Sequence, residues 1–312
     1  MDVHVPVMRD RIVHVLSASL QHPEAVYVDG TLGLGGHAKA MLAANPNARL
    51  IGIDRDTDAL QVAAERLAEY EDRLTLVHAV YDELPDVLSS LGLTRVDAIL
   101  LDLGLSSLQI DREARGFTYR VDAPLDMRMN QQEGETAADV LNTYDVADLA
   151  RILKRYGEER FADRIARAIV EARPLETSAQ LVRVISDAIP AAARYSGGHP
   201  AKRTFQALRI EVNHELDALE GVLPAAMHAL AVGGQLAVLS YHSLEDRLVK
   251  RVFAQASSDS APRNLPVVPE HMRAAFTLVT KGAERPEYSE IEANSRAASA
   301  RLRIAKRVRE RS

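Results

Sequence analysis

The sequence predicts an open α/β sheet of Rossmann-like type, interrupted after its fourth strand by an all-helical insertion. Three observations carry this reading. Short apolar runs alternate with helix-period segments through the first third of the chain, a glycine-rich turn follows the first of these runs, and strand character vanishes between about residues 108 and 215 before it returns.

Residues 26–29, 50–54, 74–78 and 98–103 are short, nearly continuous apolar runs, the pattern of strands covered on both faces. Between them, segments such as 57–70 carry alanine and leucine at helical spacing, which makes the βαβ unit of a parallel sheet. Helical segments then follow one another at 137–141, 146–156, 159–172 and 178–188, with a long one beginning near Lys202. Past Gly233 and Gly234 a strand is read at 235–241, followed by a helix with Ser243 as hydroxyl N-cap and Glu245 and Asp246 in its first turn. Residues 276–280 and 300–305 read as two final strands paired antiparallel, after a linker-like stretch at 257–269. The expected divisions are 1–107 and 216–312 for the sheet domain and 108–215 for the insertion.

Composition narrows the chemistry. With 312 residues, 47% of them hydrophobic but only 4% aromatic and no tryptophan, the chain can bury a large, aliphatic core. No cysteine is present, which removes disulfides, thiolate zinc sites and cysteine nucleophiles, and no metal site is read from the remaining His, Asp and Glu. Neither a basic region with an apolar run at the N-terminus nor a span-length apolar stretch occurs, so a cytoplasmic protein without a membrane partner is expected. A net charge of -6 means that any nucleic-acid surface must be local. The run from Arg296 to the end, with Arg301, Arg303, Lys306, Arg307, Arg309 and Arg311 against Glu310, reads by itself as a solvated basic tail.

The turn after the first strand is Asp29-Gly-Thr-Leu-Gly33-Leu-Gly35-Gly36-His37, leading straight into a helix. Glycines at this spacing let the backbone turn tightly and approach a nucleotide cofactor closely. Asp54, 21 residues after Gly33, stands where an acid binds an adenosine ribose. That combination suits NAD and S-adenosylmethionine alike. The end of the fourth strand, Asp102-Leu-Gly-Leu-Ser-Ser107, favours the sulfonium cofactor, because a dehydrogenase would need a proton relay and usually a second mononucleotide half, which is missing. A nicotinamide-dependent oxidoreductase and a non-catalytic RNA-binding assembly factor are the rival readings.

The chain resembles, motif after motif, the ribosomal RNA small-subunit methyltransferase H (MraW-type) family. The resemblance runs through His4-Val-Pro-Val-Met8, Tyr27 to His37, Ile53-Asp-Arg-Asp56, Leu101 to Ser107, Gly116-Phe-Thr-Tyr-Arg120, Leu125-Asp-Met-Arg-Met129, Tyr156-Gly-Glu-Glu-Arg160, His199 to Asn213, Tyr241-His-Ser-Leu-Glu-Asp-Arg247 and Ser295 to Arg303. It implies a class I S-adenosylmethionine-dependent methyltransferase sheet whose cofactor contacts fall on Gly35, Gly36, His37, Asp54, Tyr81, Asp102 and Gln109. It also implies methylation of cytidine N4 in the decoding region of 16S rRNA, in the 30S subunit or a late precursor, with the helical insertion recognising the substrate. Leu34 replaces a common arginine, Leu108 a common proline, Asn130 a usual aspartate, and Tyr81 and Tyr241 a usual phenylalanine whose aromatic face they preserve.

Transfer from a sulfonium chiefly demands positioning, desolvation and removal of one proton. Asp102 is the candidate catalytic residue, with retention of the cofactor as its alternative role. Lys202, Arg203, Arg209 and Asn213 are the candidate RNA contacts; without the resemblance they read as a solvated helix face. Asp126 and Arg128 become site candidates only through the resemblance. His242 reads equally as a helix-capping histidine or a base. The oligomeric state, including a homodimer, is not legible.

Overall fold

The computed structural model describes residues 5–193, 198–262 and 267–310. His4, Arg311 and residues 263–266 of the expected linker lie outside them. The chain forms two compact units, Met1–Gly104 with Asp217–Ser312, and Leu105–Leu216.

In the first unit the strands β1 (Val26–Asp29), β2 (Arg49–Asp54), β3 (Leu74–His78), β4 (Val96–Asp102), β5 (Leu230–Ser240), β6 (Phe276–Leu278) and β7 (Arg301–Arg307) form one sheet in the order β3-β2-β1-β4-β5-β7-β6. Neighbours from β3 to β5 are parallel, while β7 runs antiparallel to both β5 and β6. This is the expected Rossmann-like α/β architecture. Successive side chains of a strand face opposite ways, so each strand feeds two cores. Ala98 and Leu100 join one apolar cluster, Ile99 and Leu101 the other. The first core is closed by α1 (Arg9–Ser17) and α2 (Gly36–Ala44), with the inner side of α3 (Thr57–Arg66). The second takes α4 (Leu84–Ser90) and apolar residues from Leu219 onward of the helix spanning Glu215–Ala229.

The second unit contains α5 (Ser107–Asp111), α6 (Ala137–Thr143), α7 (Val146–Gly157), α8 (Ala162–Glu171), α9 (Ser178–Ala188) and α10 (Lys202–Asn213). In α7 the buried Leu149, Ile152, Leu153 and Tyr156 recur at helical spacing, and Asp145 caps its start by accepting the Asp148 N–H at 2.8 Å. At the far end of α7, a Cβ on Gly157 would lie 2.6 Å from the Arg203 carbonyl oxygen. Glycine therefore brings α7 into backbone contact with the first turn of α10.

Several expectations change. The long helix after Lys202 is two: α10 ends where His214 adopts a left-handed φ of 51°, and α11 (Glu215–Ala229) follows. Then α12 (Ser243–Ala256) is capped by His242, not Ser243: His242 Nδ1 accepts the Glu245 N–H at 3.4 Å, and Glu245 accepts the Tyr241 and His242 N–H groups at 2.7 and 3.1 Å. Finally, α13 (Tyr288–Ala293) precedes β7. α1 was not anticipated, although Ile12, Val15 and Leu16 have the spacing of a buried helix face. No helix among the described residues is long and apolar enough to cross a membrane.

Candidate active site

Parallel pairing puts the carboxyl ends of β1, β2, β4 and β5 on one edge of the sheet. Chain order reverses between β1 and β4, the switch point at which open α/β sheets bind ligands. Asp29, Asp54, Asp102 and Tyr241 end these strands or immediately follow them.

The glycine turn is braced from β2. Asp54 accepts the Gly33 N–H at 2.7 Å on Oδ2 and the Asp56 N–H at 2.9 Å on Oδ1. It is half-buried, and burial pushes its carboxyl up to about 6 despite these donors. A carboxylate has about four acceptor positions, so each oxygen can still take a ligand hydroxyl. Gly35 has φ 72°, and Pro6 packs so closely on Gly36 that a Cβ there would lie 2.5 Å from Pro6 Cγ. Tyr81 lies beside Gly30, its Cβ 3.5 Å from where a Gly30 Cβ would stand.

Asp102 is at the centre of the edge. Its Oδ1 accepts the Tyr241 hydroxyl at 2.8 Å, its N–H donates to Thr31 Oγ1 at 2.6 Å, and its Oδ2 lies 3.4 Å from His37 Nε2. His37 is buried, and that 3.4 Å approach lacks hydrogen-bond geometry, so neither ring nitrogen has a hydrogen-bond partner among the described residues. A buried imidazole without a hydrogen-bond partner is one to which a ligand could bond. Asp29 is fully buried; burial pushes its carboxyl up to about 7, against the opposing pull of His37 and the Thr31 amide. Asp29, Thr31 and the Tyr241 hydroxyl were missed as site groups, although all three lie in quoted motifs.

The second unit holds the other candidates. Gln109 is buried in α5, where its Oε1 accepts the Ser106 N–H at 3.0 Å and Ser106 Oγ accepts the Gln109 N–H at 3.3 Å. This reciprocal cap stiffens the turn without the proline that Leu108 replaces. Lys202 and Arg203 are exposed at the start of α10. Arg209 instead forms a two-pronged ion pair with Glu215 at 2.8 and 2.9 Å. Asn213 is 4% exposed and spends its amide on the Met127 carbonyl and the Met129 N–H, both at 2.7 Å. The solvated helix face read for Lys202, Arg203, Arg209 and Asn213 is therefore corrected, because Asn213 is a core bracket. Asp126 and Arg128 pair with each other at 2.9 Å within their own loop.

The basic terminal run is also corrected. Arg301 and Arg303 sit in β7 and pair with Asp246 at 3.0 and 2.7 Å. Arg307 is 3% exposed and donates to the His228 and Leu230 carbonyls. Strand pairing turns much of the expected solvated tail into sheet.

The pattern of the MraW methylase family matches residues 1–308. The chain belongs to this family. It is 58% identical over 311 residues to the ribosomal RNA small subunit methyltransferase H of Cutibacterium acnes, covering 98% of this chain and 92% of that protein. To the protein of the same name from Streptomyces avermitilis it is 59% identical over 310 residues, covering 98% of each. As an MraW methylase, the chain carries a tyrosine at 241 where the resemblance led to phenylalanine. Besides the aromatic face that was expected there, Tyr241 brings a hydroxyl, which donates to Asp102. Burial and the neighbouring Asp102 hold this phenol well above its ordinary titration range, so it remains a donor.

Proposed function

We propose that the chain methylates the exocyclic N4 of a cytidine in the decoding region of 16S rRNA, using S-adenosylmethionine and acting on the 30S subunit or a late precursor. One observation carries the chemistry: the carboxylate of Asp102, steered by Tyr241 at 2.8 Å, stands beside the glycine turn at the switch point of the sheet. The shared name of the relatives supports the substrate class. The donor set fits the cofactor, since the carboxylates of Asp29, Asp54 and Asp102 suit a ligand that is cationic at sulfur and carries a ribose diol, and His37 has ring nitrogens without a hydrogen-bond partner. When bound, that cofactor supplies a methyl group already activated for transfer.

The chain's own residues supply the rest. Gly35 and Gly36 admit the cofactor to the backbone, Asp54 accepts from the ribose diol, and Tyr81 completes its surroundings. Asp102 accepts an N–H of the target amine, which draws the nitrogen lone pair out of conjugation with the ring, and takes up the proton that the nitrogen gives up as it gains the methyl group. The helical unit recognises RNA, with phosphates met by Lys202 and Arg203. The base must be unstacked, because an amine inside a duplex cannot reach the donor in line.

Nucleoside mass spectrometry of 30S particles treated with the protein and labelled cofactor tests this. Label on cytidine N4 is expected; label on carbon 5, on a ribose or on protein sinks the assignment. Binding that discriminates for NADH over S-adenosylmethionine would restore the oxidoreductase.

Two further results are expected. Replacing both Lys202 and Arg203 by alanine leaves cofactor affinity unchanged and weakens RNA binding. It also makes the log–log salt slope shallower by about 1.5, at roughly 0.7–0.9 per lost phosphate contact. A steeper or unaltered slope would remove these residues from the interface.

Cofactor affinity should also rise as pH passes upward through about 6, where Asp54 ionises and its acceptor bonds become charge-assisted. The sign follows because a ligand that prefers the carboxylate binds weakly while the group is protonated. Titration calorimetry between pH 5 and pH 8 reads the change. In Asp54→Asn the step near 6 should vanish, and its persistence would place the ribose elsewhere.

A further inference from the structure

The second unit carries an aromatic stack that the methyl-transfer site does not use. Tyr119 lies face to face with His199, centroids 4.4 Å apart and planes 20° apart, and meets Phe205 edge-on at 5.5 Å and 79°. Phe205 is buried, Tyr119 half-buried and His199 exposed, so the stack climbs from the core to the surface with an exposed ring outermost. That ring is held twice, by Tyr119 and by the Ala201 N–H, which donates to His199 Nδ1 at 3.2 Å. An acceptor at Nδ1 leaves the proton of the neutral ring on Nε2.

Cations border the stack in sequence. Arg120 follows Tyr119, and Lys202 and Arg203 open α10 three and four residues after His199; all three are exposed. Arg120 and Lys202 have no ion-pair partner among the described residues, and the first turn of α10 holds no acid. Arg203 gives one N–H to the Glu158 carbonyl at 3.3 Å and keeps the rest of its donor fork.

An immobilised aromatic face flanked by unneutralised cations has the chemistry of a site for an unpaired nucleotide: the base stacks, and the phosphates on either side meet the cations. Holding the ring in advance lowers the ordering cost of binding. We infer that Tyr119 and His199, with Arg120, Lys202 and Arg203, form a stacking step for an unpaired base of single-stranded RNA. The inference rests on the RNA reading above for its class of ligand, and adds a contact that is separate from the reacting cytidine.

The test uses the full chain and an octaribonucleotide with a central 2-aminopurine, whose fluorescence falls when the base stacks. Wild type should bind and quench it. His199→Ala should weaken binding by about 5- to 100-fold and lose the quench, the range for removing one stacking ring. His199→Phe should retain both within about twofold, which separates stacking from a fold defect. No quench with wild type, undiminished binding by His199→Ala, or a His199→Phe variant as weak as His199→Ala would each overturn the inference. Methyl incorporation into 30S particles is measured in parallel. Incorporation without the quench overturns the stacking step and leaves the proposed function standing, whereas a His199-dependent quench without incorporation does the reverse.

Discussion

Asp102→Ala is expected to slow single-turnover methyl transfer by about 10²- to 10⁴-fold, the usual contribution of a positioned acid–base group. Cofactor affinity should fall far less, by about tenfold, the value of one ordinary hydrogen bond. The asymmetry follows from the geometry. The backbone N–H of residue 102 still reaches Thr31 after the substitution, so β4 keeps its attachment to the glycine turn, while the carboxylate proposed to meet the target amine is gone. Tyr241→Phe gives the graded companion result. It removes only the hydroxyl that steers Asp102 Oδ1, and about a tenfold loss of rate is expected with cofactor affinity unchanged. A dissociation constant and a single-turnover rate measured on each variant decide the matter. Equal losses in both quantities for Asp102→Ala would make Asp102 a cofactor ligand and nothing more.

Gly116→Ala should destabilise the helical unit by about 3–5 kcal/mol, among the largest effects of a single methyl group. Gly116 has φ +74°, and a Cβ there would stand 2.2 Å from the Pro124 carbonyl oxygen and 2.9 Å from the Asp126 nitrogen. Both are backbone atoms and cannot swing aside. The neighbouring Arg115 is buried and donates to the Arg128 and Met129 carbonyls at 3.1 and 2.7 Å, so a shift of the loop would also break these bonds. Gly134→Ala serves as control. It has a comparable φ of +81° with nothing within 4 Å, so it should cost only the backbone strain, about 1–2 kcal/mol. Denaturant unfolding of both variants measures the difference, and equal losses would show that the close approach at Gly116 carries no weight.

The elements that local chemistry dictates were legible in the sequence. Continuous apolar runs marked β1 to β4 because a parallel sheet is covered on both faces, and the helical spacing of Leu149, Ile152, Leu153 and Tyr156 marked α7. The Gly33 to Gly36 turn and Asp54 pointed to a nucleotide site because that chemistry needs a close backbone and an acid one βα unit later. What a charged or polar residue does once placed was a different matter. Asn213 looked like part of a solvated helix face and is a buried bracket, because its partners Met127 and Met129 lie more than 80 positions away. The terminal arginines looked solvated, but Arg303 meets Asp246 at a separation of 57 residues and Arg307 reaches carbonyls more than 70 away. Tyr241 looked interchangeable with phenylalanine until its hydroxyl was found on Asp102, 139 residues earlier. Periodicity, turn chemistry and strand burial are written within a few residues of where they act, so the sequence alone determines them here. Whether a polar side chain spends its bonds in the protein or offers them to a ligand depends on which distant segment packs against it, and only the tertiary structure decides that.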